Sequence, residues 1–208
     1  MSISSNSKNL AVYFLALSAV AVPTFVILAP AAMDESNLGL ALRMTARLAF
    51  VIYILVFVTR PLRQIMPMPL TNALLRNRRY VGISFAAVMT MHLALISWLL
   101  LYVQDDGRTL ASLLPGIVTY LLITLMLVTS FDAPARALGP KNWQRLHKTG
   151  LYWIGTIFAV ALVPDVIDYP SDPIYLTIGA LMILAIIIRA AAFVKRKNQS
   201  TAAMESAR

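Results

Sequence analysis

Stretches of apolar residues, divided by short polar breaks, dominate the chain. They run from Leu10 to Ala32, Leu38 to Thr59, Tyr80 to Val103, Leu110 to Phe131, Gly150 to about Val166, and Ile174 to about Val194. About 20 apolar residues of helix cross a hydrocarbon core of about 30 Å, so each stretch predicts one transmembrane helix. None alternates with a period of two, which argues against a transmembrane barrel. Pro23 and Pro30 in the first stretch are tolerated where neighbouring helices re-satisfy the freed backbone groups. The polar breaks include Met33-Asp34-Glu35-Ser36-Asn37 and Gln104-Asp105-Asp106-Gly107-Arg108. The expected fold is an all-α membrane protein, a six-transmembrane-helix bundle.

Lysine and arginine set its orientation. The second connection carries Arg60, Arg63, Arg76, Arg78 and Arg79; the fourth carries Arg136, Lys141, Arg145 and Lys148; the tail carries Lys195, Arg196, Lys197 and Arg208. If six helices alternate, all of these fall on one side. The other side receives Asp34, Glu35, Asp105, Asp106, Asp165, Asp168 and Asp172, with Arg108 the lone base of its loops. Both termini are therefore expected on the cytoplasmic side. Residues 1–9 and 196–208 are expected as cytoplasmic tails around a transmembrane domain 10–195, with disorder up to residue 8 and from about 198. The first stretch is too long for a signal-peptide core and is expected to be retained. The connection from Arg60 to Arg79, with Pro61, Pro67 and Pro69, reads as a basic orientation loop touching lipid headgroups, beside the alternative of a surface segment that contacts a cytoplasmic partner.

Composition agrees: 59% of residues are hydrophobic and 13% are charged, where soluble domains carry about a quarter charged. The net charge of +9 lies in short inter-helix segments rather than on one folded face, so nucleic acid is not the expected partner. Cysteine is absent, which removes disulfides, thiolate metal sites and cysteine nucleophiles.

Candidate chemistry rests on two histidines, His92 and His147. An ionisable or ligating residue inside a span is a functional hypothesis by default. His92 lies thirteen residues past Arg79, about 20 Å up the third predicted helix. His147 lies at the inner mouth of the fifth. The plainer readings are a hydrogen-bonded core histidine for His92 and an interfacial polar residue for His147.

The stretch Leu75-Arg76-Asn77-Arg78-Arg79-Tyr80-Val81-Gly82-Ile83, running on to Met91-His92-Leu93, resembles the third helix of the ferric-reductase-like transmembrane family. Thr129-Ser130, Leu138-Gly139 and Trp143-Gln144-Arg145-Leu146-His147 form a second match, and Thr45-Ala46-Arg47 leading to Thr59-Arg60-Pro61-Leu62-Arg63 a weaker third. Within that family the likeness is to the haem-binding membrane subunits of bacterial methionine-sulfoxide reductase systems, over roughly residues 40–195. The resemblance implies b-type haem held between the third and fifth helices, with His92 and His147 as candidate iron ligands. Arg47 is the candidate partner of a haem propionate, beside the plainer reading of a snorkelling arginine. It further implies electron relay across a bacterial inner membrane between a cytoplasmic flavin reductase, or a quinone, and a periplasmic acceptor protein.

The chain departs from the family pattern at one place. A second fifth-helix histidine is expected about thirteen residues beyond the first, and that position is Val160, flanked by Ala159 and Ala161. His92 and His147 differ in depth by about 20 Å, which argues against one iron held by both. Methionine can serve as an axial ligand, and Met44, Met89 and Met91 lie on nearby helices. Met91 points about 100° away from its neighbour His92, and apolar-span methionines usually fill gaps. A five-coordinate haem on His92 or His147 stays open, as does a haem-free relative acting as a membrane scaffold. A small transporter would need intramembrane charges lining a path; only Arg43, Arg47 and Arg189 offer themselves. Asp132 is expected to pair with nearby arginines, and Thr45, Ser84, Thr90, Ser97 and Thr156 to make ordinary helix–helix contacts. No phosphate loop, nucleotide fingerprint or hydrolase triad occurs, so any flavin or nicotinamide domain belongs to a separate chain.

Overall fold

A computed structural model describes residues 35–102 and 109–206. These residues form helices and no strand: α1 (Glu35–Ile65), α2 (Pro69–Tyr102), α3 (Leu110–Val128), α4 (Asp132–Leu138), α5 (Pro140–Asp168) and α6 (Pro173–Ser206). All but α4 are long and apolar enough to cross a membrane, giving 5 candidate spans. They correspond to the second through sixth predicted stretches. The first, Leu10 to Ala32, lies outside the described residues, as does the break from Gln104 to Arg108.

The helices outrun the apolar stretches that nucleate them. The basic connection after Thr59 is mostly helical: α1 continues to Ile65 and α2 already begins at Pro69. Proline suits the first helical position, where no N–H is needed. Thr71 ties the turn, its hydroxyl donating to the Met66 carbonyl at 2.8 Å and accepting from the Met68 amide at 3.1 Å. α5 starts at Pro140, ten residues before the apolar stretch, so His147 lies within a helix rather than at its mouth. Gly139, at φ 76°, makes the break before it, a conformation in which a Cβ is strained. At the far end α6 is helical through Ser206, where a disordered tail was expected from about 198. Extending an existing helix needs no new nucleus, so polar residues such as Lys197 and Gln199 are carried along.

Two compact units divide the chain. Of the described residues, the first takes those up to Tyr53 and those from Arg79 to Ile157. Its apolar packing includes Leu38, Ala41 and Leu95, with Leu42 and Leu99 against them. The start of α1 therefore lies against the end of α2, and the two run antiparallel. Phe50 and Val88 are among its fully buried side chains. Two glycines in α5 permit close approach: a Cβ on Gly150 would strike Met126 Sδ, and one on Gly155 would strike the Tyr53 hydroxyl.

The second unit takes residues 54–78 and the described residues from Phe158 onward. Here Arg189 of α6 donates to the Phe57 carbonyl of α1 at 3.0 Å, and Lys195 to the Ile65 carbonyl at 3.3 Å. Ascending numbers on both helices make α1 and α6 parallel. Leu121, Val160, Ile183 and Ile186, on helices of the two units, are among the exposed large apolar residues, the pattern that lipid-facing helix surfaces require.

Candidate functional site

Each histidine meets a threonine of a neighbouring helix within the first unit. Nδ1 of His92 on α2 lies 2.7 Å from Oγ1 of Thr45 on α1. Nε2 of His147 on α5 lies 3.1 Å from Oγ1 of Thr129, the residue that ends α3. The direction of each bond follows from the hydroxyl's other contacts. Thr45 Oγ1 is 2.8 Å from the Ala41 carbonyl and 3.0 Å from that of Leu42; Thr129 Oγ1 is 2.7 Å from the Leu125 carbonyl. A hydroxyl has one proton, and a carbonyl can only accept it. In both pairs the imidazole N–H donates and the threonine accepts.

The two rings are consequently in opposite tautomers. His92 carries its proton on Nδ1 and keeps Nε2 basic, the arrangement of a histidine that ligates iron through Nε2 with its other nitrogen held by a supporting hydrogen bond. His147 carries its proton on Nε2 and gives it to Thr129. Its ring also stacks on Trp143, with centroids 4.1 Å apart, while Trp143 Nε1 donates to the Thr129 carbonyl at 2.8 Å. That carbonyl is an end-of-helix acceptor with no donor further along its own helix. His147 is thus part of a cap on the end of α3.

The depth of each histidine follows from contacts within the same unit. Arg79 of α2 pairs with Asp132 at 2.8 Å, the pairing expected for that aspartate, which brings Arg79 to the level of the α3–α4 junction and therefore of His147. His92 is thirteen residues further along α2, about 20 Å. A second route agrees. The Tyr53 hydroxyl donates to the Leu151 carbonyl at 2.9 Å, and Leu151 is four residues, about 6 Å, beyond His147 on α5. Thr45 lies eight residues of α1, about 12 Å, beyond Tyr53 in the same sense. His92 and His147 therefore stand nearly 20 Å apart in depth and do not converge.

Arg47 is half-buried on α1, and two residues past Thr45 is about 200° around the helix. It leaves α1 on a different face from the one that meets His92. Of the methionines, Met44 is exposed and Met89 buried. Val160, where the second fifth-helix histidine was expected, is 70% exposed. Thr45 and Thr129 stand in the recognised stretches, but sequence offered no sign that their hydroxyls meet the two imidazoles. Tyr120 of α3 was not singled out, and its hydroxyl is buried without a hydrogen-bond partner among the described residues. It lies nine residues before Thr129, so about 14 Å above the level of His147 and below that of His92.

These features test the fit of a haem. An axial site on a porphyrin needs only one or two protein ligands, so the absence of any group of three or more metal-binding side chains among the described residues is no obstacle. His92 has the tautomer and the supporting bond for one axial position. Tyr120 leaves one buried polar group unanswered, as a site for a polar-edged ligand does. The residues fit a haem on His92, and they do not supply a second histidine at its level.

The long apolar helices define a multi-pass integral membrane protein. No family model and no solved structure matches the chain. It is 31% identical over 147 residues to the protein-methionine-sulfoxide reductase heme-binding subunit MsrQ of Cronobacter sakazakii, covering 68% of this chain and 71% of that protein. It is 36% identical over 99 residues to the subunit of the same name from Polaromonas naphthalenivorans, covering 45% of this chain and 44% of that protein. The chain belongs to the MsrQ family.

Proposed function

We propose that this chain is a membrane electron-transfer subunit that binds b-type haem through His92; the names of its relatives support the haem-binding part of this role. The observation that carries the reading is the His92–Thr45 bond, which leaves Nε2 basic within a membrane span. When bound, haem supplies a one-electron carrier whose potential the surrounding protein tunes. His92 would hold the iron, Thr45 would hold the ring of His92, and the low-dielectric helices would keep water away. His147 is the second candidate ligand, although it would have to release Thr129 to present Nε2. Arg47 remains the candidate for a propionate.

The same reading takes the chain as a six-span protein of the bacterial inner membrane, of the ferric-reductase-like type, with both termini cytoplasmic. Electrons would pass from a cytoplasmic flavin reductase, or from a quinone, to a periplasmic acceptor protein. Reporter fusions after Asn37, after Arg76 and at the C-terminus test the orientation; a periplasmic signal at Arg76 overturns it.

The deciding experiment is a reduced-minus-oxidised visible spectrum of the purified, haem-supplied protein with haem counted per chain. A sharp reduced α-band with about one haem per chain is expected, and His92→Ala should abolish it. Folded protein without haem overturns the reading. That result would favour a haem-free membrane scaffold, the alternative motivated by valine at position 160.

A further inference from the structure

Hydroxyl and indole groups inside the spans of the first unit find partners. The Tyr53 hydroxyl donates to the Leu151 carbonyl at 2.9 Å and Thr90 to that of Ala86 at 2.9 Å. Thr119 of α3 donates to the Pro115 carbonyl at 2.7 Å and accepts from Trp153 Nε1 of α5 at 2.9 Å. Tyr120, the next residue on α3, breaks this pattern. Its hydroxyl is buried and has no partner among the described residues. A hydroxyl taken out of water without a hydrogen bond destabilises the fold. Packing alone gives no reason for a phenol here, because phenylalanine would fill the same space without that cost.

Tyr120 and His92 approach one another in depth. Their Cα atoms stand about 14 and 20 Å from the level of His147, so they differ by about 6 Å. Side chains of a helix lean towards its N-terminus. The Arg79–Asp132 pair sets the early part of α2 beside the end of α3, so the two helices run in opposite senses. Tyr120 therefore leans towards the level of His92, and His92 leans towards the level of Tyr120. On the side to which Tyr120 leans, α3 presents Gly116, four residues earlier on the same face. Gly116 is exposed, and a Cβ added there would meet no atom within 4 Å, so α3 leaves that side open to a ligand.

We infer that Tyr120 is a haem-binding residue whose hydroxyl donates its proton to a haem carboxylate. The inference rests on the reading that haem is held by His92. Haem carries its carboxylates on flexible arms at one edge of the ring, which suits a donor that lies near the level of the iron ligand without sharing its helix. A hydrogen bond to an ionised acceptor is stronger than one between neutral groups, and a carboxylate in a low-dielectric interior depends on such donors. Donation also draws negative charge away from the ring, which favours ferrous over ferric iron.

Tyr120→Phe in the full-length protein removes a single oxygen and tests the inference on haem-supplied and haem-free preparations. With haem, affinity followed by the Soret band should fall about tenfold, and redox titration should show the ferric–ferrous equilibrium moved about threefold towards ferric. Without haem, the same substitution should raise the melting temperature by about a few degrees, because the unanswered hydroxyl is gone. A packing role would not give these opposite signs. A lower melting temperature in the haem-free variant would mean that water or protein already answers the hydroxyl, and overturns the inference. Unchanged affinity or unchanged potential, in a variant whose parent binds haem, overturns it too. A parent that binds no haem overturns the underlying reading, and this inference with it.

Discussion

His92 on α2 donates its Nδ1 proton to the hydroxyl of Thr45 on α1 across 2.7 Å, and this bond makes Nε2 the ring's basic nitrogen. Supporting bonds of this kind orient a ligating imidazole, and their loss costs about 10- to 100-fold in metal affinity. Thr45→Val, nearly isosteric, should lower haem affinity by about that factor while the helices stay intact; Thr45→Ser should retain it. Haem titration followed by the Soret band decides, and unchanged affinity in Thr45→Val removes Thr45 from the site.

His147 gives its Nε2 proton to Thr129 and stacks on Trp143. A haem on His92 should therefore survive His147→Ala. The reduced α-band per chain should remain within about twofold of the parent, and stability should fall by about 1 kcal/mol from the lost cap. Complete loss of the band in folded His147→Ala protein would make His147 a ligand after all.

Gly155→Ala tests the packing of α1 against α5 in the first unit. The new methyl would enter the space of the Tyr53 hydroxyl and push it off the Leu151 carbonyl. Overpacking together with a lost buried hydrogen bond should cost about 2–4 kcal/mol. Adding Tyr53→Phe removes the obstructing oxygen and should recover much of it. Thermal melts of the two single variants and the double variant, in one detergent, measure the coupling.

Arg189 answers a carbonyl that Pro61 leaves without a donor. Pro61→Ala restores an N–H to Phe57, so Arg189→Gln should cost less in that background than in the parent. The expected coupling is about 1 kcal/mol, one charge-assisted hydrogen bond less its solvation. Additive effects in the double-mutant cycle would show that the two residues act separately.

The Arg79–Asp132 pair should contribute little, because its side chains are 40% and 73% exposed and such pairs are worth about 0–1 kcal/mol. Asp132→Asn should shift the melting temperature by no more than a few degrees. A larger shift would mean that the aspartate does more than pair with Arg79.

The membrane class and the five described spans were legible in the pattern of apolar residues, because a bilayer demands about 20 of them in a row whatever surrounds the helix. The pairing of Asp132 with an arginine was legible too, since opposite charges near one membrane face have few other partners. Helix ends were less legible. α2 begins at Pro69 and α6 runs to Ser206, because helices propagate past the apolar stretch that starts them.

By itself, the sequence determined that a membrane protein carries its candidate ligands at His92 and His147, with valine at position 160. Which nitrogen each histidine offers was decided only by tertiary structure. A ring's tautomer depends on the group facing it, and Thr45 and Thr129 come from helices 47 and 18 residues away along the chain. The pairing of Arg189 with the Phe57 carbonyl spans 132 residues and was equally hidden. Apolar periodicity records how much of a helix meets lipid. It carries no record of which single hydroxyl, carbonyl or guanidinium on another helix arrives within hydrogen-bonding reach.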